Sequence, residues 1–358
     1  MSGIAGILGI ADSSRVYANT VGQRVVYDAV TQLLGQYNAD VAAQTRVFVG
    51  ETTPLFQERY ALPGGGRLQR LGNQAPSAAV KRTGKWDVAY PLESFGAAQG
   101  SNRVEYAYLT VGDVDSAVQT IVTQDINTRR HEMLKALLNN TARTFVDPLN
   151  GSLSIQPLAN GDAVVYPPVL GSETEATDDH YIVSAYAAAD VSDTNNPLIT
   201  GRDELEEHFG TPTGGGQIVS FINNAQVAKI KALAEFTSVT DMAITPGSNT
   251  DRVNMLPNVP GRILGRTDSG VWVSEWRWVP SGYIVNVSLD APPPLKMRVD
   301  PADTGLGSGL QLVAEDELNP LRVAYWENRF GIGCANRLNG VVIQLKASGS
   351  YDIPSGYS

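Results

Sequence analysis

Two short polar groups contain residue types that can bind a metal or transfer a proton. Glu204 and His208 lie four residues apart in "DELEEHFG", a predicted short helix, so both side chains would lie on one face. No third ligand follows at a metal-site spacing, and a solvated charged helix is the commoner arrangement. Asp178, Asp179 and His180 come together in "TDDHY" before a predicted strand, where an oxygen-rich cation site and a polar turn are alternatives and the turn is the commoner. We therefore predict neither a metal site nor a cofactor.

The glycine triplet 214–216, in "TPTGGGQIVSFIN", raises the question of nucleotide binding. A phosphate-binding loop leaves a strand and opens onto a helix, whose free N–H groups bind the anion. Here a predicted helix at 203–209 precedes the triplet and a strand follows it. Gln217 and Ile218 stand where a Walker loop has Lys and Ser or Thr. The sequence predicts a turn.

Nucleophilic catalysis finds little support in the sequence. There is no G-x-S-x-G motif, and the single cysteine, Cys334, has no histidine close in sequence. A free cysteine is more often a small buried apolar residue than a nucleophile. We predict that the chain is not an enzyme.

Three tryptophans share one parity in "VWVSEWRWVP". A regular strand would place Trp272, Trp276 and Trp278 on one face. Such a face can stack on a carbohydrate or a base. Packing against a helix or another subunit is the favoured interpretation, because aromatic residues dominate cores and interfaces.

Composition excludes several classes of protein. The 358 residues carry a net charge of −10, which argues against a general nucleic-acid binder but allows a protein that encloses nucleic acid without gripping it. One cysteine rules out an intrachain disulfide framework and fits a reducing compartment. We find no signal peptide and no run long enough to span a membrane, so a soluble product is expected.

The N-terminal half of the chain contains two predicted helices separated by an extended segment. Apolar spacing predicts a helix over 21–45 and a longer one over 112–145, about 50 Å in length, capped by Asp113 or Asp115 and stopped by Asp147-Pro148. The polar middle of the second helix, which holds His131, is expected to face solvent or a neighbouring chain. Between the helices, 51–110 is predicted to form a two-stranded excursion around a Thr83-Gly84 turn, with too few apolar residues for its own core.

The C-terminal half mixes helices with many strands. "HYIVSAYAA" and "QIVSFIN" are predicted buried strands, and "NAQVAKIKALAEF" a helix capped by Asn223 or Asn224. Strands dominate from about 240 onward, in "GVWVSEWRWVP", "GYIVNVSL", "LKMRV", "LRVAYWENRFGI" and "GVVIQLKA". The fold class is α+β.

This order of elements resembles the major capsid protein of tailed bacteriophages, which has the Hong Kong 97 fold. "FINNAQVAKIKAL" is similar to the axial-domain strand and helix, and "GVWVSEWRWVPSGYIVNVSLD" resembles a strand, P-x-G turn and strand of the same lobe. "RFGIGCANRLNGVVIQLKA" is similar to the last peripheral strands. The resemblance covers nearly the whole chain. It implies an N-terminal arm with a helix (1–50), an extended E-loop hairpin (51–110), a spine helix with the first peripheral strands (111–165), a mainly axial domain (166–300) and the closing peripheral strands with the C-terminus (301–358).

The resemblance also implies a function and partners. The chain would self-assemble as pentamers and hexamers into an icosahedral virion shell around double-stranded DNA, in the host bacterial cytoplasm. Portal, decoration and separate scaffold proteins would be partners; a fused scaffold is not expected, because about fifty residues precede the excursion. An encapsulin-like nanocompartment shell and a β-rich carbohydrate-binding protein are the alternatives.

Some members of that family cross-link an E-loop lysine to an asparagine of a neighbouring chain. By this analogy, the candidate inter-subunit contacts are Lys81, Arg82, Lys85, Trp86, Asn336 and Asn339. Lysine and asparagine are common residue types, so the analogy makes contacts, rather than a covalent bond, the expectation.

Overall fold

The fold was obtained as a computed structural model, which describes residues 3–62, 84–100, 103–170, 172, 174–185, 191–209, 217–238, 259–314 and 320–358. Its helices are α1 (Ile4–Ile7), α2 (Ala18–Val21), α3 (Gln23–Thr45), α4 (Arg103–Tyr108), α5 (Val111–Leu138), α6 (Pro197–Phe209) and α7 (Val227–Lys231). None of the helices in these ranges is long and apolar enough to cross a membrane.

Sixteen strands are numbered in chain order. They are β1 (Val49–Thr53), β2 (Gln57–Ala61), β3 (Lys85–Ala89), β4 (Glu93–Gly100), β5 (Arg143–Asp147), β6 (Gly151–Ile155), β7 (Tyr181–Ala185), β8 (Ile218–Ile222), β9 (Phe236–Ser238), β10 (Arg262–Thr267), β11 (Val271–Glu275), β12 (Tyr283–Ser288), β13 (Leu295–Arg298), β14 (Gln311–Ala314), β15 (Val323–Cys334) and β16 (Val341–Lys346).

Both predicted long helices are confirmed, with one shorter than expected. Helix α5 starts with a capping box, in which Thr110 accepts from the Asp113 N–H and the Asp113 side chain accepts from the Thr110 N–H. It ends at Leu138 and not at 145, because Asn139 has an extended backbone and its side chain accepts the Thr141 N–H at 2.8 Å. Such a local bond replaces the next helical turn. The predicted stop at 147–148 instead lies in the β5–β6 turn.

The predicted excursion is shorter than 51–110. Strands β2 and β3 pair with each other, but β4 leaves them and pairs with β15 along its whole length. Residues Arg103–Tyr108 are helical, which corrects the expectation of an extended segment there. The helix predicted at 224–236 is also short: a 3₁₀ turn over Asn224–Gln226 leads into α7, with Asn223 as the cap, as predicted.

Two sheets contain most of the strands. In the five-stranded sheet, the long strand β15 pairs with β14 and β4 through its first half and with β13 through its last residues, and β1 pairs with β13 in parallel. The seven-stranded sheet has the order β7-β16-β12-β8-β11-β10-β9. The predicted boundary at 300 separates a mainly axial region from a peripheral one. Strand β13, before this boundary, belongs to the smaller sheet, whereas β16, after it, belongs to the larger sheet. The two sheets therefore do not divide at residue 300.

The hydrophobic cores join these layers. One core lies where the end of α5 meets both sheets, around Met133, Leu137 and Phe330. A second packs α1, α3 and the start of α5 against β14 and β15, around Val30, Val118 and Trp326. A third lies between α6 and the seven-stranded sheet. Helix α5 contributes its end to the first core and its start to the second, so it connects these two cores.

The polar middle of α5 is partly exposed, as expected, but it also contains two charged residues that are buried. Asp125 is buried and accepts hydrogen bonds from Tyr37 (2.6 Å), Arg129 Nε (2.7 Å) and Asn328 (2.5 Å). Arg129 is buried as well and also donates to Asn38. These bonds satisfy a charge that would otherwise be costly to bury, and they fix α3 and β15 against α5.

We expect Asp125→Ala to lower the free energy of unfolding by about 3–5 kcal/mol, because it leaves Arg129 buried without its carboxylate. Gln124→Ala changes the exposed neighbour on the same helix and should stay within about 0.5 kcal/mol of the wild type. Urea unfolding followed by circular dichroism compares them. Equal midpoints for the two variants would show that the network does not stabilise the fold.

Candidate functional site

The arm formed by β2 and β3 is a two-stranded antiparallel sheet of its own. The two five-residue strands pair along their full length. Between them, the exposed Arg59 guanidinium donates to both carboxylate oxygens of Asp87, at 2.6 and 2.8 Å. A two-stranded sheet is marginal in water, so the arm depends on what packs against it.

Trp86 anchors the arm to the body of the chain. Its buried indole Nε1 donates to the Ala335 carbonyl oxygen at 2.9 Å. Its ring lies 5.2 Å, between centroids, from Tyr60 on β2 and 5.2 Å from Tyr166 in the body of the chain. Trp86 thus joins the strand pair to the turn between β15 and β16.

Gly84 sets the direction in which the arm enters β3. Its φ is +70°, and a Cβ there would lie 2.3 Å from Pro167 Cδ, so only glycine fits. The predicted Thr83-Gly84 turn lies partly outside the described residues. Strand β2 ends at Ala61 and β3 begins at Lys85, so Gly84 directly precedes the second strand.

The predicted contact residues of the arm differ in whether they are described and in how far they are exposed. Lys81 and Arg82 lie outside the described residues. Lys85 is exposed on β3, and its contact with a neighbouring chain stays a prediction. Trp86 is buried in its own chain, where it offers almost no surface to a neighbour.

Asn336 and Asn339 are both fully buried within the chain. Both donate to the Pro292 carbonyl oxygen, at 2.9 and 2.8 Å. Asn339 also exchanges two hydrogen bonds with the Ser288 backbone, at 2.9 and 3.0 Å. The inter-subunit prediction requires a free side chain, and the structure instead gives both asparagines the intrachain role of holding the β15–β16 turn against the end of β12.

Arg337, between these asparagines, is buried and was not selected from the sequence. It donates to the carbonyl oxygens of Pro157 (2.7 Å) and Leu158 (3.1 Å) and to Asp162 Oδ2 (2.8 Å). Its guanidinium carbon lies 5.8 Å from the centre of the Tyr166 ring. The turn that receives the arm is therefore itself tied to the segment before β7.

A buried histidine pair lies near this turn. His180 Nε2 and His208 Nε2 lie 3.0 and 2.8 Å from the same atom, Asp178 Oδ2, and His180 Nδ1 lies 2.8 Å from the Gly340 carbonyl oxygen. Side-chain exposure is 0% for His180, 6% for His208 and 16% for Asp178. The fold thus brings together two groups, 178–180 and 204–208, that the sequence analysis treated separately.

Electrostatic interactions in this cluster favour an ionised Asp178 beside a protonated His180. Burial opposes ionisation of Asp178, but hydrogen bonds from His180 and His208 outweigh it and hold its pKa far below the usual range. Burial also opposes protonation of His180, yet the bond and charge of Asp178 raise its pKa. Burial raises the pKa of Glu204, which interacts with the same groups from α6.

The tryptophans do not form a binding face. Only Trp272 lies in strand β11; Trp276 and Trp278 follow it in a turn, which corrects the one-strand prediction. Trp272 and Trp276 are buried in a core, where Trp276 stacks on Phe48 with centroids 5.4 Å apart. Packing, the favoured interpretation, is what the structure shows.

The catalytic candidates also find structural roles or lie outside the described residues. Cys334 is buried, and burial raises the pKa of its thiol to about 12, so it is protonated at neutral pH. The glycine triplet lies outside the described residues, but α6 precedes it and β8 follows it, in the predicted order of helix before strand.

Large apolar side chains are exposed at several places on the described surface. Leu149 and Val146, on the β5–β6 hairpin, are 92% and 71% exposed. Val104 and Tyr108 on α4 are also exposed, as is Leu55 before the arm. Val146 and Leu149 share one hairpin, and neighbouring exposed apolar groups of this kind are typical of surfaces that another chain covers.

The β5–β6 hairpin is held at its turn by the carboxylate of Asp147, the last residue of β5. Asp147 Oδ2 accepts from Arg298 Nη1 at 2.7 Å, and Arg298 also donates to the Tyr90 carbonyl oxygen at 3.1 Å. The other carboxylate oxygen accepts the N–H groups of Leu149 and Asn150 at 2.9 Å. Burial opposes ionisation of Asp147, but these bonds lower its pKa to about 2.

Comparison with known proteins identifies the fold. A chain from the structure of Mycobacterium phage Patience matches 97% of this chain and 96% of its own length, with a TM-score of 0.66 and 19% identity. This likeness confirms the fold predicted from the sequence, α+β with the Hong Kong 97-like arrangement. No protein-family model and no curated protein sequence matches the chain.

Weaker likenesses involve chains from the capsid of the native GTA particle and the mature capsid of bacteriophage PhiM1. They cover 85% and 84% of this chain and 90% and 86% of their own, both at 10% identity, with TM-scores of 0.45 and 0.46. At these scores the likeness is too weak to support a conclusion.

We expect Trp86→Phe to lower the free energy of unfolding by about 1–3 kcal/mol, because the buried Ala335 carbonyl loses its donor. Lys85→Ala, at the exposed neighbouring position, should stay within about 0.5 kcal/mol of the wild type. Denaturant unfolding measures both. A loss in Lys85→Ala as large as that in Trp86→Phe would contradict the anchoring role.

The Asp147 bond predicts a pH dependence. Because its folded pKa lies below the ordinary value, the stabilisation is present above about pH 4 and is lost as the pH falls through about 2. The wild type should therefore be more stable than Asp147→Asn at pH 7, and the gap should narrow toward pH 2. Unfolding free energies measured across that range test this, and a constant gap would contradict it.

Proposed function

We propose that this chain is the major subunit of an icosahedral bacteriophage head. Its copies would form pentamers and hexamers that close into a shell around double-stranded DNA. The observation that carries the proposal is the fold match to a phage chain over nearly the full length of both chains, with a TM-score of 0.66.

The shape of the chain supports assembly. The arm is a separate two-stranded sheet, and a marginal sheet gains stability when a neighbour covers its exposed side. The exposed Leu149 and Val146 at the hairpin would likewise be removed from water by a neighbouring chain. Lys85 on the arm is a further candidate contact.

The domain organisation is part of the proposal. Helices α1–α3 would form the N-terminal arm region, β2 and β3 the base of the E-loop, and α5 the spine. The five-stranded sheet would belong to the peripheral domain. The seven-stranded sheet with α6 and α7 would be the axial domain, to which β16 returns from the C-terminal region.

Charge is compatible with enclosing DNA. A chain with a net charge of −10 has no excess of cations to hold phosphates along a continuous surface, so the DNA would be contained and not bound by sequence. Portal protein, and separate scaffold or decoration proteins, are proposed as partners. We propose that assembly takes place in the host bacterial cytoplasm and that the assembled protein is located in the virion.

Electron microscopy of the purified full chain, combined with light scattering, tests the proposal. We expect closed shells, tubes or ring-shaped capsomers, formed alone or with a crowding agent. A chain that stays a 38.3 kDa monomer in both conditions would count against a coat function. Shells recovered from cells with a co-purifying enzyme, and without nucleic acid, would favour a nanocompartment instead.

A variant pair tests the hairpin contact. Leu149→Asp should abolish or strongly reduce assembly, because a charge would be buried between chains, while the monomer stays folded because the side chain is 92% exposed. Leu149→Met keeps the apolar surface and should assemble as the wild type does. Light scattering follows assembly and circular dichroism follows folding. Normal assembly of Leu149→Asp would remove the hairpin from the interface.

A further inference from the structure

We propose that Asp178, His180 and His208 form a binding site for a divalent transition metal of the Zn²⁺ class. The metal would join the start of β7 to the end of α6. This inference goes beyond the coat function and differs from the sequence-based prediction of no metal site.

The hydrogen bonds of His180 are the first reason. Its Nδ1 lies 2.8 Å from the Gly340 carbonyl oxygen, which can only accept, so Nδ1 carries a proton. In the neutral ring, Nε2 then presents a lone pair to Asp178 Oδ2 at 3.0 Å. Either a second ring proton or a metal ion must bridge these two atoms, and a metal that displaces the proton would meet both atoms without a change in ring orientation.

The arrangement around His180 is the one found at metal sites. A histidine that binds a metal through one nitrogen usually donates the other N–H to a carbonyl or carboxylate, which fixes the ring and its tautomer. Gly340, in the turn before β16, supplies that carbonyl oxygen here. Because the carbonyl belongs to a turn held by buried side chains, the ring is positioned before any ligand arrives.

The ligand atoms converge from two elements. One nitrogen from each histidine and a carboxylate oxygen of Asp178 all lie within 4.8 Å of one another. In a tetrahedral Zn²⁺ site with bonds of about 2.0–2.1 Å, neighbouring ligand atoms are about 3.3 Å apart. The observed separations of 2.8 and 3.0 Å would have to widen by a few tenths of an ångström, which rotation of the His208 and Asp178 side chains can supply.

Charge and ligand chemistry select the metal. Two imidazoles and a carboxylate are ligands that Zn²⁺ and its neighbours among the late divalent metals prefer, whereas Ca²⁺ and Mg²⁺ prefer oxygen alone. Glu204, one helical turn before His208, is half-buried and interacts electrostatically with all three residues. Two carboxylates and two neutral imidazoles would balance a charge of +2.

Metal binding would have a structural effect at the arm. Helix α6 ends at Phe209, directly after His208, and Phe209 packs against the cluster of residues that holds Trp86. A metal would therefore fix the end of α6 against the buried residues that pack around Trp86 of the arm.

The first experiment is titration of the purified, chelator-treated full chain with Zn²⁺ by calorimetry, with bound metal counted by mass spectrometry. We expect one high-affinity Zn²⁺ per chain and a higher melting temperature in its presence. His208→Gln should weaken binding at least about tenfold. His131→Gln removes a histidine from α5, away from the cluster, and should bind as the wild type does.

Cobalt provides a second readout. Co²⁺ bound to two imidazoles and a carboxylate should give the visible absorption of a tetrahedral site in the wild type and in His131→Gln, and not in His208→Gln. Absence of stoichiometric Zn²⁺ binding in the folded wild type would overturn the proposal and leave a proton between His180 and Asp178. Equal binding by His208→Gln and the wild type would also overturn it, because the metal would then bind elsewhere.

Discussion

The buried carboxylate of Asp125 is the constraint on which the arrangement of the helices and the smaller sheet depends. A charge inside a protein must be paired, and its partners come from its own helix, from α3 and from β15. Apolar packing alone tolerates sliding between elements, whereas three directed bonds to one carboxylate allow a single arrangement. Since β15 in turn pairs with β4, β13 and β14, the position of the five-stranded sheet relative to α5 follows from this residue.

Local sequence patterns predicted individual helices and strands better than they predicted which strands pair with one another. The apolar spacing of α3 and α5 and the buried strands β8, β12 and β16 could be read from the sequence, because each pattern reflects one face of one element. The end of α5 was placed too late, since the apolar Phe145 continued the pattern after the backbone had already turned at Asn139. Sheet membership could not be predicted in the same way: β16 pairs in parallel with β7, about 160 residues earlier, and no local signal records such a pairing.

The candidate metal site shows the same limit. The sequence favoured a polar turn at 178–180 and a solvated charged helix around His208, but the His208 side chain is 6% exposed, because the tertiary fold brings these two groups together. The buried asparagines of the β15–β16 turn illustrate the opposite case. Asn336 and Asn339 were candidates for contacts with another chain on the strength of residue type, yet type alone does not distinguish a surface amide from one that satisfies buried carbonyl groups. Exposure of Leu149 likewise became known only from the hairpin geometry.

The pairing of β4 with β15 has a mechanical consequence. Strand β4 follows the arm strand β3 after only three residues and is bonded to β15 over eight positions, from Glu93 to Gly100. Hydrogen bonds of an antiparallel pair stand perpendicular to the strands, so a pull along β4 loads all of them in shear at once, instead of opening them one by one. Tension that a neighbouring chain applied to the arm would therefore pass into the centre of the sheet, where the β4–β15 ladder would resist it as a unit.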